Sequence, residues 1–141
     1  MSIFSVFLSV FLIFTAGYSV QAQETKSVEG TRLYFITPSN GDVVTGLVTV
    51  KFGLSGMGVA PAGVEKSGTG HHHLIIDAPL PPFDENIPLD ENYRHFGGGQ
   101  TEVTIALKPG KHTLQLLLGD QNHIPHMPPV YSEVITINVA E

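Results

Sequence analysis

Apolar and polar residues in this chain follow strand periods rather than helical ones. Leu33-Tyr34-Phe35-Ile36 is a short apolar strand, and Thr37-Pro38-Ser39-Asn40-Gly41-Asp42 is a turn. Val43-Val44 continues extended, and Leu47 to Phe52 alternates weakly, with β-branched content that favours a strand. His71 to Ile76 predicts another strand, with Leu74 and Ile76 on the core side. Gln100 to Leu107 sets Val103, Ile105 and Leu107 on one face. After the turn Lys108-Pro109-Gly110-Lys111, His112 to Leu118 sets Leu114, Leu116 and Leu118 together, while Leu117 interrupts the polar side. Val130 to Val139 closes the series, with Tyr131, Glu133, Ile135, Ile137 and Val139 sharing a face. No stretch after the first thirty residues repeats at 3.6. Short strands between Gly/Pro turns predict an all-β fold, an antiparallel immunoglobulin-like β-sandwich without the Cys and Trp hallmarks of antibody domains.

Two stretches break the alternation. Gly53 to Gly63 is too rich in Gly and Pro for a regular element. Asp77 to Gly99 is long and carries Pro79, Pro81, Pro82 and Pro88 beside Asp84, Glu85, Asp90 and Glu91. A connection of that length in a compact domain is usually functional or mobile.

The N-terminus has a different pattern. Residues 3–14 are almost wholly apolar, and Val20-Gln21-Ala22 offers small residues at cleavage positions. This reads as an N-terminal signal peptide over 1–22, although the segment before the apolar run has no Lys or Arg. The run is shorter than the roughly 20 residues of a spanning helix, so no membrane span is expected in the mature chain. A flexible lead-in over 23–30 and a β-sandwich domain over 31–141 follow. The expected location is periplasmic or secreted.

Composition narrows the chemistry. All 7 Lys and Arg and all 13 acids fall after residue 22, for a net charge of −6 with His neutral. With no basic cluster, nucleic acid is not an expected partner. The chain has no cysteine, which removes thiolate zinc sites, thiol redox chemistry and a blue-copper site. A metal must then be held by His, carboxylate or Met.

The histidines concentrate in two places. Gly68-Thr69-Gly70-His71-His72-His73-Leu74-Ile75-Ile76-Asp77 carries three in a row, and Gly119-Asp120-Gln121-Asn122-His123-Ile124-Pro125-His126-Met127-Pro128-Pro129 carries two more. Strand alternation divides the first group. His71 and His73 share the outward face, about 6–7 Å apart along the backbone, and His72 falls on the core face with Leu74 and Ile76. Neutral imidazole is the commonest protein metal ligand, and the loop prolines limit the freedom of His123 and His126. In an immunoglobulin-type sandwich, that loop and the start of the His71 strand lie at one end. The expected metal ligands are therefore His71, His73, His123 and His126 around copper or zinc, with Met127, a soft thioether, or His95 as an additional ligand. The plainer account is that the histidines are polar strand and turn residues and Met127 a packing residue. Asp77, Asp120 and Glu102 are candidates to orient the imidazoles.

No catalytic arrangement is legible. The serines lack a nucleophile motif, and the paired acids Asp84-Glu85 and Asp90-Glu91 suit a solvated loop. The leading expectation is a small exported domain that binds a transition metal ion through its histidine cluster. A non-catalytic module binding a protein or envelope component is the alternative, and a metal-dependent hydrolase a third.

Four stretches together resemble a family of exported bacterial domains of unknown function: Gly56-Met57-Gly58-Val59-Ala60-Pro61-Ala62-Gly63, the Gly68–Asp77 run, His95-Phe96-Gly97-Gly98-Gly99-Gln100-Thr101-Glu102, and the Gly119–Pro129 loop. The resemblance runs from about Met57 to the end of the chain. It implies a small exported domain in which these segments belong together, and it assigns no ligand.

Overall fold

The structure, a computed structural model, describes residues 24–141; the expected signal peptide lies outside the described residues. Nine strands follow in order: β1 (Arg32–Thr37), β2 (Val43–Thr45), β3 (Leu47–Ser55), β4 (Gly58–Val59), β5 (Thr69–Ile76), β6 (Tyr93–His95), β7 (Glu102–Ala106), β8 (Gly110–Gly119) and β9 (Ile135–Ala140). One sheet has the order β1-β3-β7. The other has the order β2-β9-β8-β5-β4, with β6 also paired to β5. The division of the long strands, β1, β3 and β7 against β5, β8 and β9, is that of an immunoglobulin-type sandwich. Pairing between these strands is antiparallel except for two short parallel contacts, β2 with β9 and β4 with β5. No helix among the described residues is long and apolar enough to cross a membrane.

The alternating positions build the core. Val48, Val50 and Phe52 of β3 face Leu74 and Ile76 of β5, Leu114, Leu116 and Leu118 of β8, and Ile137 and Val139 of β9. Each such side chain contributes roughly 1.5–3 kcal/mol when fully buried.

Two departures from simple alternation shape the region of interest. The first is at the last strand, which begins at Ile135 rather than at Val130. Leu117 lies opposite Tyr131, whereas Leu114 lies opposite Ile135, so the second chain carries one extra residue between the two pairs. This is a β-bulge. Ser132 fills it: its Oγ accepts from Leu116 N–H at 2.9 Å, and its own N–H donates to Leu116 O at 3.0 Å. The extra residue turns Tyr131 to the outer face, away from Ile135, and its ring stacks on Phe83 at 6.0 Å.

The second departure is the long connection after β5. It is not a bare loop. Residues 77–92 cross the outer face of β5 and β8, where Ile87 packs on Ile75 and Leu117 in a second small apolar cluster flanked by Leu80 and Phe83. Leu117, which interrupts the polar side of its strand, belongs to this cluster. Asn92 Nδ2 donates to Ile76 O at 2.8 Å, and Tyr93 Oη donates to Pro79 O at 2.8 Å. The chain then returns along β5 as β6. Every residue of β5 from Gly70 to Ile76 is buried, so both of its faces are interior.

Candidate metal centre

Four imidazoles meet on the covered outer face of β5. His71 and His73 come from β5 itself, two residues apart. His95 comes from β6 and sits directly opposite His73 in the antiparallel register. His123 comes from the loop after β8, whose last residue, Gly119, lies opposite His71. Ring centroids are 4.8 Å apart for His71 and His73, 4.9 Å for His71 and His95, 5.1 Å for His71 and His123, and 4.6 Å for His95 and His123. His73 lies 5.1 Å from His95 and 6.3 Å from His123. One ring nitrogen from each of His71, His95 and His123 falls within 4.8 Å of the other two.

Backbone features make the convergence sterically feasible. A Cβ on Gly97 would stand 2.3 Å from His95 Cε1, and one on Gly119 would stand 2.7 Å from His73 Cε1. The two glycines leave the space these rings occupy. His123 adopts φ +66°, within a tight turn organised by Asp120. The Asp120 carboxylate is buried and accepts from Asn122 N–H at 2.8 Å, Ile124 N–H at 3.0 Å and Thr25 Oγ1–H at 2.6 Å. From the other side, Ile87 N–H donates to His123 O at 2.8 Å, and Asn86 Nδ2 to Asn122 O at 2.7 Å. The long connection and the histidine loop thus brace each other.

The polar atoms of the cluster are unusual. His71 and His73 are each 0% exposed, and neither ring nitrogen of either has a hydrogen-bond partner. His95 Nε2 is likewise buried without one. A buried polar group left unpaired costs about 1–3 kcal/mol, so the five such nitrogens gathered here are a substantial burden for a small domain. Burial, reinforced by His95 and His123 and opposed by Asp120, lowers the His71 pKa to about 4. Burial and the neighbouring imidazoles lower that of His73 to about 2, and burial with His123 lowers that of His95. These rings are held neutral at pH 7, the form that offers a lone pair to a metal.

His126 is not brought to the cluster, and Met127 is held through its backbone by the N-terminal segment. The His126 ring is buried against Gly70 and Leu118, on the core side of β5, and its Nε2 lies 3.1 Å from Thr69 O. A one-turn loop cannot aim His123 and His126 at one point once His123 takes a positive φ and His126 tucks beneath the strand. Met127 pairs its backbone with the N-terminal segment: its N–H donates to Thr25 O at 2.9 Å, and Ser27 N–H donates to Met127 O at 3.3 Å. Residues 25–27, read from sequence as part of a flexible lead-in, are therefore strapped along the histidine loop. His72 lies on the core face against Phe52 at a centroid distance of 5.0 Å. Burial lowers its pKa to about 4, opposed by the Gln100 main chain, whose approach falls short of a well-formed hydrogen bond.

Of the three acids proposed to orient imidazoles, each does something different. Asp120 shapes the His123 turn. Asp77 accepts from the ring of His112, outside the cluster, at 2.6 Å. Glu102 pairs with Lys51 at 3.8 Å across an exposed sheet face. Gly97, Gly119 and Ile87 carry no sequence signal of their roles beyond glycine and an isolated apolar residue in polar surroundings.

No curated protein matches the chain. Among solved structures, the fibronectin(III)-like modules of Clostridium thermocellum CbhA are similar at 9% identity and a TM-score of 0.39, over 76% of this chain and 92% of that one. A family profile matches residues 50–140, a span that holds all seven histidines. By that match the chain belongs to the family described as Domain of unknown function (DUF4399).

Proposed function

We propose that this domain binds one divalent transition metal ion, zinc or copper, through the imidazoles of His71, His95 and His123, with His73 beside them. The observation that carries the reading is the convergence of buried imidazole nitrogens that have no other partner. A metal ion would satisfy several of them at once. An all-imidazole donor set suits zinc and copper and does not suit magnesium or calcium, which take oxygen ligands. The role is metal holding or delivery by an exported domain, in keeping with the signal-like N-terminus. Hydrolysis is less well supported, because the nearby buried carboxylate, Asp120, is already committed to three hydrogen bonds.

The test is calorimetric titration of the untagged, chelator-treated chain with Zn(II), Cu(II) and Cu(I) at pH 7. One ion per chain is expected. His71→Ala, His95→Ala and His123→Ala should each weaken binding by more than the roughly 10–100-fold that loss of a supporting partner costs. His112→Ala should leave it unchanged. If His71→Ala and His123→Ala bind as tightly as the parent, the shared site does not exist.

A further inference from the structure

We infer that the centre is a closed four-histidine site, in which His73 supplies the fourth ligand and leaves the ion no position for water, an anion or a substrate. The inference rests on the metal-binding reading and specifies what kind of site it is. Structural and storage sites for zinc-like ions fill all four positions with protein ligands, whereas catalytic sites keep one open. Three nitrogens already converge, so the identity of the fourth neighbour decides between the two.

Three observations point to His73. Its ring is fully buried and both nitrogens lack a partner, so it has no competing hydrogen bond to break. Its position is set on two sides: it shares the face of β5 with His71 and is the register partner of His95. Its centroid is 4.8 Å from His71 and 5.1 Å from His95, comparable with the separations among the other three rings. His73 stands outside the 4.8 Å nitrogen set and 6.3 Å from His123 by centroid, across the group from the loop histidine, so a turn of its own ring on binding is what would bring its nitrogen to the ion.

Gly119 supplies an independent argument. The Cε1–Nδ1 edge of His73 lies over Gly119, 2.7 and 3.2 Å from where a Cβ would be. The ring therefore leans along the strand toward His71, over Gly119, which has no side chain to stop it. Ile87 Cδ1, 3.2 Å from the same point, closes the far side. Solvent is excluded on this side by the apolar cluster of Ile75, Ile87 and Leu117. On this side, a water or anion seeking a fourth position would have to displace the His73 ring.

The experiment is Co(II) substitution of the full chain, read by its d–d absorption with and without azide. The closed site predicts a tetrahedral, nitrogen-ligated spectrum that azide at millimolar concentration leaves unchanged. His73→Ala should still bind Co(II), more weakly, and should acquire an azide-dependent shift as the exogenous ligand takes the vacated position. Gly119→Ala, which keeps all four histidines and pushes the His73 ring aside, should reproduce that azide response. An azide-dependent shift in the parent chain overturns the closed site while leaving metal binding intact. So does a His73→Ala variant with the parent's affinity and spectrum. Absence of Co(II), Zn(II) and Cu(II) binding by the folded parent overturns both readings.

Discussion

At the residue scale, the informative contrast is between His72 and its two neighbours. A period of two puts His71 and His73 on one face and His72 on the other, and the structure keeps that division. What alternation does not reveal is that the outward face is covered. The same limit applies to His126: a loop histidine three residues from another has no fixed face, and its direction comes from the Asp120 turn. That carboxylate yields a residue-scale prediction. In Asp120→Asn the amide offers a single acceptor oxygen where the carboxylate receives hydrogens at both. Stability should fall by about 1–3 kcal/mol in denaturant melts. Metal affinity should fall roughly 10–100-fold as His123 loses its bracing. A folded variant with unchanged affinity would mean that the turn holds itself. Gly97→Ala should also weaken binding, because the added methyl meets His95 Cε1 at 2.3 Å.

At the element scale, the longer strands were legible from their own apolar positions and the shortest were not. β3, β8 and the latter half of the last strand follow their apolar positions. β4 and β6 are short and exist through pairing with β5, so Gly58-Val59 and Tyr93-Arg94-His95 carry little period of their own. The bulge at Ser132 is invisible for a related reason: one extra residue shifts the faces without changing composition. The end of β5 is tied to β8 by Asp77, whose carboxylate accepts from Thr113 N–H at 2.8 Å and from His112 Nδ1 at 2.6 Å. His112 Nε2 also reaches Lys108 O at 2.8 Å, so both ring nitrogens face acceptors. Burial disfavours charge on His112, but the bonds to Asp77 and Lys108 and the Asp77 charge outweigh it and raise its pKa above 6.5. A pKa raised on folding gives stability that is fully present below the unfolded value near 6.5 and is lost as pH rises through the folded value. Thermal melts should therefore show the parent losing more stability between pH 5.5 and pH 8.5 than His112→Gln does. Equal slopes would remove the pair as a contributor.

At the scale of the whole molecule, the cluster joins three elements that are far apart in sequence. Binding an ion should therefore stabilise the fold as a unit. At a free metal concentration 100 times the dissociation constant, the gain is about 2.7 kcal/mol. For a domain of this size that corresponds to a rise in melting temperature on the order of 10 °C. Scanning calorimetry with and without Zn(II) checks it, and a parent whose melting temperature does not respond to a bound ion would show that the fold and the site are uncoupled. Hydrogen exchange adds the spatial detail. Residues 77–92, held by one small apolar cluster and a few hydrogen bonds, should exchange faster in Ile87→Ala, while β3 and β8 stay protected.

The sequence by itself determined the all-β class, because alternating apolar positions between Gly/Pro turns are buried by packing one sheet face on another. It also determined the face on which His71 and His73 lie, since that follows from backbone geometry alone. The tertiary structure decided which histidines meet. His95 joins the group because β6 pairs with β5, His126 leaves it because it is drawn beneath Gly70, and two glycines leave room for the rings. These are consequences of register, a single positive φ and contacts between residues from 22 (His73 and His95) to 56 (Gly70 and His126) positions apart. Local pattern carries no record of such distances. The triple histidine contributes two imidazoles from its strand, and the pairing of distant segments brings the other two beside them.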